Sequence, residues 1–235
     1  MSGGPVPNGG TRPGAAAPKG RSPRFASVVL DVDSTLSGVE GIDWLAALRG
    51  PEMAARIAAL TDRAMRGEIA LESVYGERLK MIAPTKREID ALSVRYVESI
   101  APGAPETVAA LRRAGVAIAV VSGGLREAIS RLARLIGADE SALRAVSIRF
   151  DGHGDYAGFD DTSPLATQGG KQQVVRELGL AAPALGVGDG ATDLAMRPAV
   201  AAFGAYTGFA RREPVVQAAD FTIESFAQLE ALVLG

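Results

Sequence analysis

Phe25-Ala-Ser-Val-Val-Leu-Asp31-Val-Asp33-Ser-Thr35 begins as a nearly continuous apolar run and ends in two acids. Such a run suits a strand buried on both faces, as strands of parallel sheets are. Side chains alternate along a strand, so Asp31 and Asp33 leave on one face together. Two carboxylates delivered side by side are costly unless a cation meets them. For this motif alone, a solvated turn with a helix cap is the plainer alternative.

Outward from this stretch, further apolar runs occur at Val116–Val121, Ala184–Gly188, Val200–Phe203 and Asp220–Ile223. Helical patterns at Glu106–Ala114, Leu125–Ile136, Lys171–Leu178 and Phe226–Leu234 separate or follow them. The alternation predicts an α/β fold, a parallel sheet with helices on both faces. Val146–Phe150 and Tyr156–Phe159 flank Asp151-Gly-His-Gly-Asp155 and predict a β-hairpin. Between Gly41 and about Ile100 helical periods replace strands, with Pro51, Pro84 and Pro102 near the joints. The expected division is an α-helical cap over 39–100, inserted into a core made of 24–38 and 101–235. An insert at that point sits over the carboxyl ends of the strands, where open α/β sheets bind ligands and where a lid belongs.

The 235 residues carry 25 basic and 27 acidic groups, one histidine and no cysteine. That excludes disulfides, thiolate chemistry and multi-histidine metal sites. Residues 1–24 hold 6 of the 28 glycines, 5 of the 13 prolines and four basic groups without an acid. A disordered tail is expected over 1–23. It lacks the apolar stretch of a signal peptide, and no run approaches the ~18 apolar residues of a membrane span. The expectation is a cytoplasmic protein without a membrane partner. The remaining chain, with 21 basic and 27 acidic groups, makes a poor nucleic-acid binder. A small-molecule substrate is the expected partner, with monomer and homodimer both open.

Other strand ends also carry chemistry. Ser122-Gly123-Gly124 offers a hydroxyl and glycine amides directly before a helical pattern, which suits an anion and equally an N-cap. Gly188-Asp189-Gly190-Ala-Thr192-Asp193 ends the Ala184 run in two acids four residues apart. Lys171, behind Gly169-Gly170, opens a helix against the dipole, which an anionic neighbour explains. Acids at one sheet edge can hold Mg²⁺, a hard cation that sits with substrate phosphate. The serine, the amides and the lysine can neutralise phosphoryl oxygens, and one carboxylate can attack phosphorus.

In residues and order, Asp31-Val-Asp33-Ser-Thr-Leu36, Ser122-Gly-Gly, Gly170-Lys171 and Gly188-Asp-Gly-Ala-Thr-Asp193 resemble the four motifs of haloacid dehalogenase-like phosphatases. Val39-Glu40-Gly-Ile-Asp43-Trp-Leu, Arg63-Ala-Met65-Arg-Gly67-Glu, Glu77-Arg78-Leu and Asp155-Tyr-Ala-Gly-Phe-Asp160 are similar to the branch of that family acting on phosphoserine. The resemblance spans residues 24–235 and implies a Rossmann-like core. It implies Asp31 as nucleophile and Asp33 as the acid and base. Mg²⁺ would be held by the Asp31 carboxylate, the Asp33 carbonyl and Asp189, with Asp193 supporting. Ser122, Gly123 and Lys171 would bind the phosphoryl group. Glu40 would face the substrate ammonium and Arg78 its carboxylate, with Thr192 and Met65 beside them. The pocket position that is aromatic in the family is Leu71 here, which changes the pocket's shape. Phosphothreonine, phosphohomoserine and phosphoethanolamine therefore stay open as substrates. So do phosphoryl transfer to another alcohol and a silent phospho-ligand sensor, although the latter would be expected to have lost Asp31, Asp33, Lys171 or Asp189.

Several other motifs carry nothing. Gly186-Val-Gly-Asp-Gly-Ala191 matches a dinucleotide loop, but Asp189 would face the pyrophosphate. Gly170-Lys171 is no phosphate loop, with Leu165 and Gln172 at the positions that need Gly and Ser or Thr. Ser122 lacks the preceding glycine of a hydrolase elbow. His153 is read as a turn residue and Trp44 as cap packing.

Overall fold

The computed structural model of the protein describes residues 22–66 and 68–235; the Met65 side chain also lies outside the described part. The tail expected over 1–23 therefore falls, but for Ser22 and Pro23, outside the described residues. So does the pocket contact expected of Met65.

The chain begins with β1 (Ser27–Leu30), every residue of which is buried. Burial of successive residues means that both faces of the strand are covered. Then come α1 (Gly41–Ala47), α2 (Pro51–Met65), a 3₁₀ turn at Leu71–Ser73, α3 (Tyr75–Ile82) and α4 (Lys86–Glu98). Pro51 opens α2, where its missing N–H costs nothing. Thr85 caps α4 in a capping box with Glu88. Helix α5 (Ala104–Arg113) leads into β2 (Ala117–Leu125) and α6 (Arg126–Leu135). Next are β3 (Leu143–Val146), the hairpin β4 (Ile148–Phe150) and β5 (Tyr156–Phe159), and α7 (Gly170–Glu177). The chain ends with β6 (Ala184–Gly188), α8 (Ala191–Leu194), β7 (Ala202–Tyr206), α9 (Glu213–Ala218), β8 (Phe221–Ile223) and α10 (Phe226–Leu234).

Among the described residues six strands form one parallel sheet in the order β3-β2-β1-β6-β7-β8. The α/β fold, with its Rossmann-like sheet, is the one expected. No helix among the described residues is long and apolar enough to cross a membrane. Arg24 ties the start of the core down: its N–H donates to Val233 O at 2.7 Å, and its guanidinium lies 4.8 Å from the Phe221 ring centre.

Three local expectations are corrected. Strand β2 runs on through Ser122-Gly-Gly to Leu125, and α6 begins only at Arg126. The glycines therefore belong to an irregular strand end, where pairing with β3 shifts between Val121 and Leu125, and not to a helix N-terminus. Val146 belongs to β3 in the main sheet, so the hairpin starts at Ile148. The Val200–Phe203 run pairs two residues later, as β7 over Ala202–Tyr206.

Candidate active site

Neighbouring parallel strands present their carboxyl ends together, and β2, β1 and β6 are neighbours. Asp31 lies just past β1, Ser122 and Gly123 lie in the last turns of β2, and Asp189 follows β6. A partly enclosed cavity of about 50 Å³ lies there. It is bordered by Asp31, Asp33, Gly123, Lys171, Asp189, Thr192 and Asp193 from the core, and by Glu40, Leu71 and Arg78 from the segment between β1 and β2. Every described site residue expected from the sequence thus borders this cavity, apart from Ser122, which adjoins Gly123, is fully buried and accepts the Gly124 N–H at its Oγ.

Lys171, 4% exposed, donates to Asp31 Oδ1 at 2.5 Å and also contacts Asp193 Oδ1. Asp193 Oδ2 accepts from the Gly190 N–H at 2.8 Å, which fixes the second acid. Only glycine is possible at 188, because a Cβ there would fall 2.2 Å from the Asp193 carboxyl carbon. Gly170 is needed for the same kind of reason: a Cβ would stand 1.6 Å from Pro164 O and push Lys171 away from the acids.

Six carboxylates border the cavity, Asp31, Asp33, Glu40, Asp43, Asp189 and Asp193, against Arg78 and Lys171 in its wall and Arg212 beside Asp189 and Glu40. Burial, more than this imbalance, raises the proton affinities of four of them. Burial, reinforced by the Asp193 charge, pushes the Asp31 carboxyl up to about 7 despite Lys171. Burial and the charges of Glu40 and Asp31 hold Asp33 well above the carboxylate range. Burial also raises Glu40 and Asp43. For Lys171, burial opposes the charge, but Asp193 and Asp31 override it and hold the ammonium above its ordinary value. The pocket is short of positive charge. Asp31, Asp189 and Asp193 place carboxylate oxygens within 4.8 Å of one another, all buried. That hard-oxygen set suits Mg²⁺.

Arg78 stands across the cavity, buried to 2% exposure. Its Nη1 donates to Thr61 Oγ1 at 2.8 Å, and Thr61 in turn donates to Asp43 Oδ1 at 2.5 Å. Among the described residues its Nε has no partner. A buried, unpaired guanidinium N–H costs free energy until an acceptor arrives.

Further side chains meet the site, and of these Tyr75, Tyr96 and Arg212 carried no motif. Tyr96, fully buried on α4, donates to Asp33 Oδ1 at 2.6 Å, and the Gly41 N–H adds a bond to the same oxygen at 3.2 Å. Tyr75 donates to Gly123 O at 2.7 Å. Thr35 Oγ1 stands 3.5 Å from Asp189 Oδ1. Arg212 contacts Asp189 Oδ2 and lies 3.3 Å from Glu40 Oε1, which also accepts from Ser34 Oγ at 2.8 Å. The two tyrosines fit the apolar period of their helices, so their hydroxyls gave no signal. Arg212 follows Arg211 in a stretch without period.

Comparisons with known proteins agree with this geometry. The sequence model of a family described as haloacid dehalogenase-like hydrolase matches residues 28–197. Phosphoserine phosphatase of Homo sapiens is 34% identical over 206 residues, covering 86% of this chain and 91% of that protein. The chloroplastic phosphoserine phosphatase of Arabidopsis thaliana is 33% identical over 208 residues, covering 86% of this chain and 70% of that one. Among solved structures, a phosphoserine phosphohydrolase-like protein from Francisella tularensis superposes with a TM-score of 0.79 at 24% identity, over 88% of this chain and 98% of that chain. That likeness is one of fold.

Proposed function

The chain belongs to the haloacid dehalogenase-like hydrolases and is an enzyme, a phosphatase; we propose that its substrate is L-phosphoserine, released as L-serine and phosphate in the closing step of serine synthesis. One observation carries the substrate: the cavity that holds Lys171 between two buried aspartates also holds Arg78, whose Nε is buried and unpartnered. An amino-acid phosphate needs acidic and basic groups at one end and charge neutralisation at the other. Arg78 with Glu40 meets the first need and Lys171 the second.

In this reading Asp31 attacks phosphorus and forms an acyl phosphate, while the bond from phosphorus to the serine oxygen breaks. Asp33, whose proton affinity is raised by burial and by the charges of Glu40 and Asp31, passes a proton to that leaving oxygen. Asp33 then takes a proton from water, whose oxygen attacks phosphorus and regenerates Asp31. Lys171, with Ser122 and the Gly123 amide, binds the phosphoryl oxygens and offsets their charge. When bound, Mg²⁺ would be held by the Asp31 and Asp189 carboxylates and the Asp33 carbonyl with Asp193 in support, and would supply positive charge that offsets these acids for a dianionic ester. Thr192 contacts the substrate, and Leu71 forms an apolar wall of the pocket. Residues 39–100 act as a cap over a core of 24–38 and 101–235, excluding water once the ester is bound.

The test is acid quenching of the enzyme during turnover of L-phosphoserine, followed by mass analysis of its peptides. One added phosphoryl group is expected on the peptide bearing Asp31, and none in Asp31→Asn. A phosphoryl group on another residue, or none under turnover, contradicts the mechanism.

A further inference from the structure

The peptide group joining Gly123 to Gly124 is held at both ends. Its carbonyl oxygen accepts from the Tyr75 hydroxyl at 2.7 Å, and its N–H, on Gly124, donates to Ser122 Oγ at 2.9 Å. A peptide group is planar and rigid, so this one unit links a side chain of α3 to the serine of the core. Ser122 Oγ already accepts the amide proton, which leaves its own proton to be donated elsewhere. A side chain at Gly124 would crowd this spot: a Cβ would lie 2.9 Å from Ile129 Cδ1 and 3.2 Å from both Asp33 Oδ2 and Ser122 Oγ.

Tyr75 is itself firmly placed. It is 2% exposed and packs against Phe159 of the hairpin with ring centres 5.4 Å apart. The Arg78 guanidinium lies 5.7 Å from its ring centre. Burial raises the phenol far above its ordinary value, so the hydroxyl stays a donor. The ring borders the cavity beside Leu71, so the aromatic wall that the family resemblance leads one to expect at 71 comes instead from 75, four residues on. A phenylalanine would fill that space equally well. The hydroxyl therefore has a separate consequence, and its single acceptor is the peptide next to the phosphoryl-binding serine.

We propose that Tyr75 is a positioning residue of the phosphatase: its hydroxyl, by fixing the Gly123–Gly124 peptide, aims the Ser122 hydroxyl at the phosphoryl group. A second bond, from the Gln168 N–H to Glu72 Oε2 at 3.0 Å, also joins this segment to the core. Only the Tyr75 bond leads on to Ser122. The phosphoryl-binding edge thus takes its working shape when α3 rests on it. The inference rests on the phosphatase reading for what Ser122 binds.

The experiment is calorimetric titration of inorganic phosphate into the full chain with saturating Mg²⁺, for wild type, Tyr75→Phe, Ser122→Ala and the double variant. Loss of one neutral hydrogen bond that orients a donor should weaken phosphate binding by about three- to tenfold in Tyr75→Phe. The same substitution should add nothing in the Ser122→Ala background. Titration with L-serine, the other half of the substrate, should be unchanged by Tyr75→Phe. Unchanged phosphate affinity, or an equal loss in both backgrounds, overturns the proposal. A wild type that binds no phosphate overturns it together with the phosphatase reading. A wild type that binds phosphate but does not turn over L-phosphoserine removes only the substrate, and the Tyr75→Phe comparison still decides the role of Tyr75.

Discussion

Replacing Arg78 by methionine should separate two substrates that differ by one carboxylate. Arg78 is buried on the cavity wall, with Nη1 committed to Thr61 and Nε unpartnered. Methionine keeps an unbranched apolar stem in that space and removes the donors and the charge. A hydrogen bond between charged groups contributes about 1.5–3 kcal/mol, and about 1.4 kcal/mol is a factor of ten. The kcat/KM for L-phosphoserine should therefore fall by roughly 10- to 150-fold. Phosphoethanolamine carries the same phosphate and ammonium but offers Arg78 no carboxylate, so its kcat/KM should change little. The assay is the initial rate of phosphate release from each ester at saturating Mg²⁺, with melting temperatures measured alongside. Equal fractional losses on the two esters would show that Arg78 serves the fold or the chemical step and does not read the carboxylate.

Asp31→Asn should abolish phosphate release while leaving the melting transition in place, since an amide cannot form the acyl phosphate; release near the wild-type rate would remove Asp31 as nucleophile. Lys171→Met strips the charge from between two buried aspartates, at a cost of about 3–5 kcal/mol. At about 2–4 °C per kcal/mol, thermal scans in EDTA should show melting lowered by roughly 6–20 °C. Added Mg²⁺ should raise the variant's melting temperature more than that of wild type, and an identical response would mean that Lys171 and the cation do not share the same acids. Tyr96→Phe removes the stronger of the two bonds to Asp33 Oδ1. It should lower kcat on L-phosphoserine more than it raises KM; an unchanged kcat would leave Tyr96 a packing residue only.

The core of this site was legible because strand ends write their chemistry in short, contiguous motifs. Asp31 and Asp33 are two residues apart, and Asp189 and Asp193 four, so local spacing alone put each pair on one side. The parallel sheet then brought β1, β2 and β6 together, as alternating strands and helices had indicated. What escaped the sequence depends on contacts between distant residues. Tyr96 reaches Asp33 across 63 positions and Tyr75 reaches Gly123 across 48, and in each case the aromatic ring already satisfied the helical period. Strand β3 escaped because Leu-Arg-Ala-Val is short and places an exposed arginine in its middle. The continuation of β2 through Ser122-Gly-Gly was masked by glycines, which read as a helix start until the neighbouring strand pairs with Leu125.

Release of phosphate from a panel of small phosphomonoesters, each with Mg²⁺ and with EDTA, tests the proposed activity most directly. L-phosphoserine should be preferred over phosphothreonine, phosphohomoserine and phosphoethanolamine, and release should vanish in EDTA. A metal-dependent preference for another ester would keep the chemistry of Asp31 and contradict the substrate. No release from any ester by the folded protein with Mg²⁺ would contradict the hydrolytic mechanism itself.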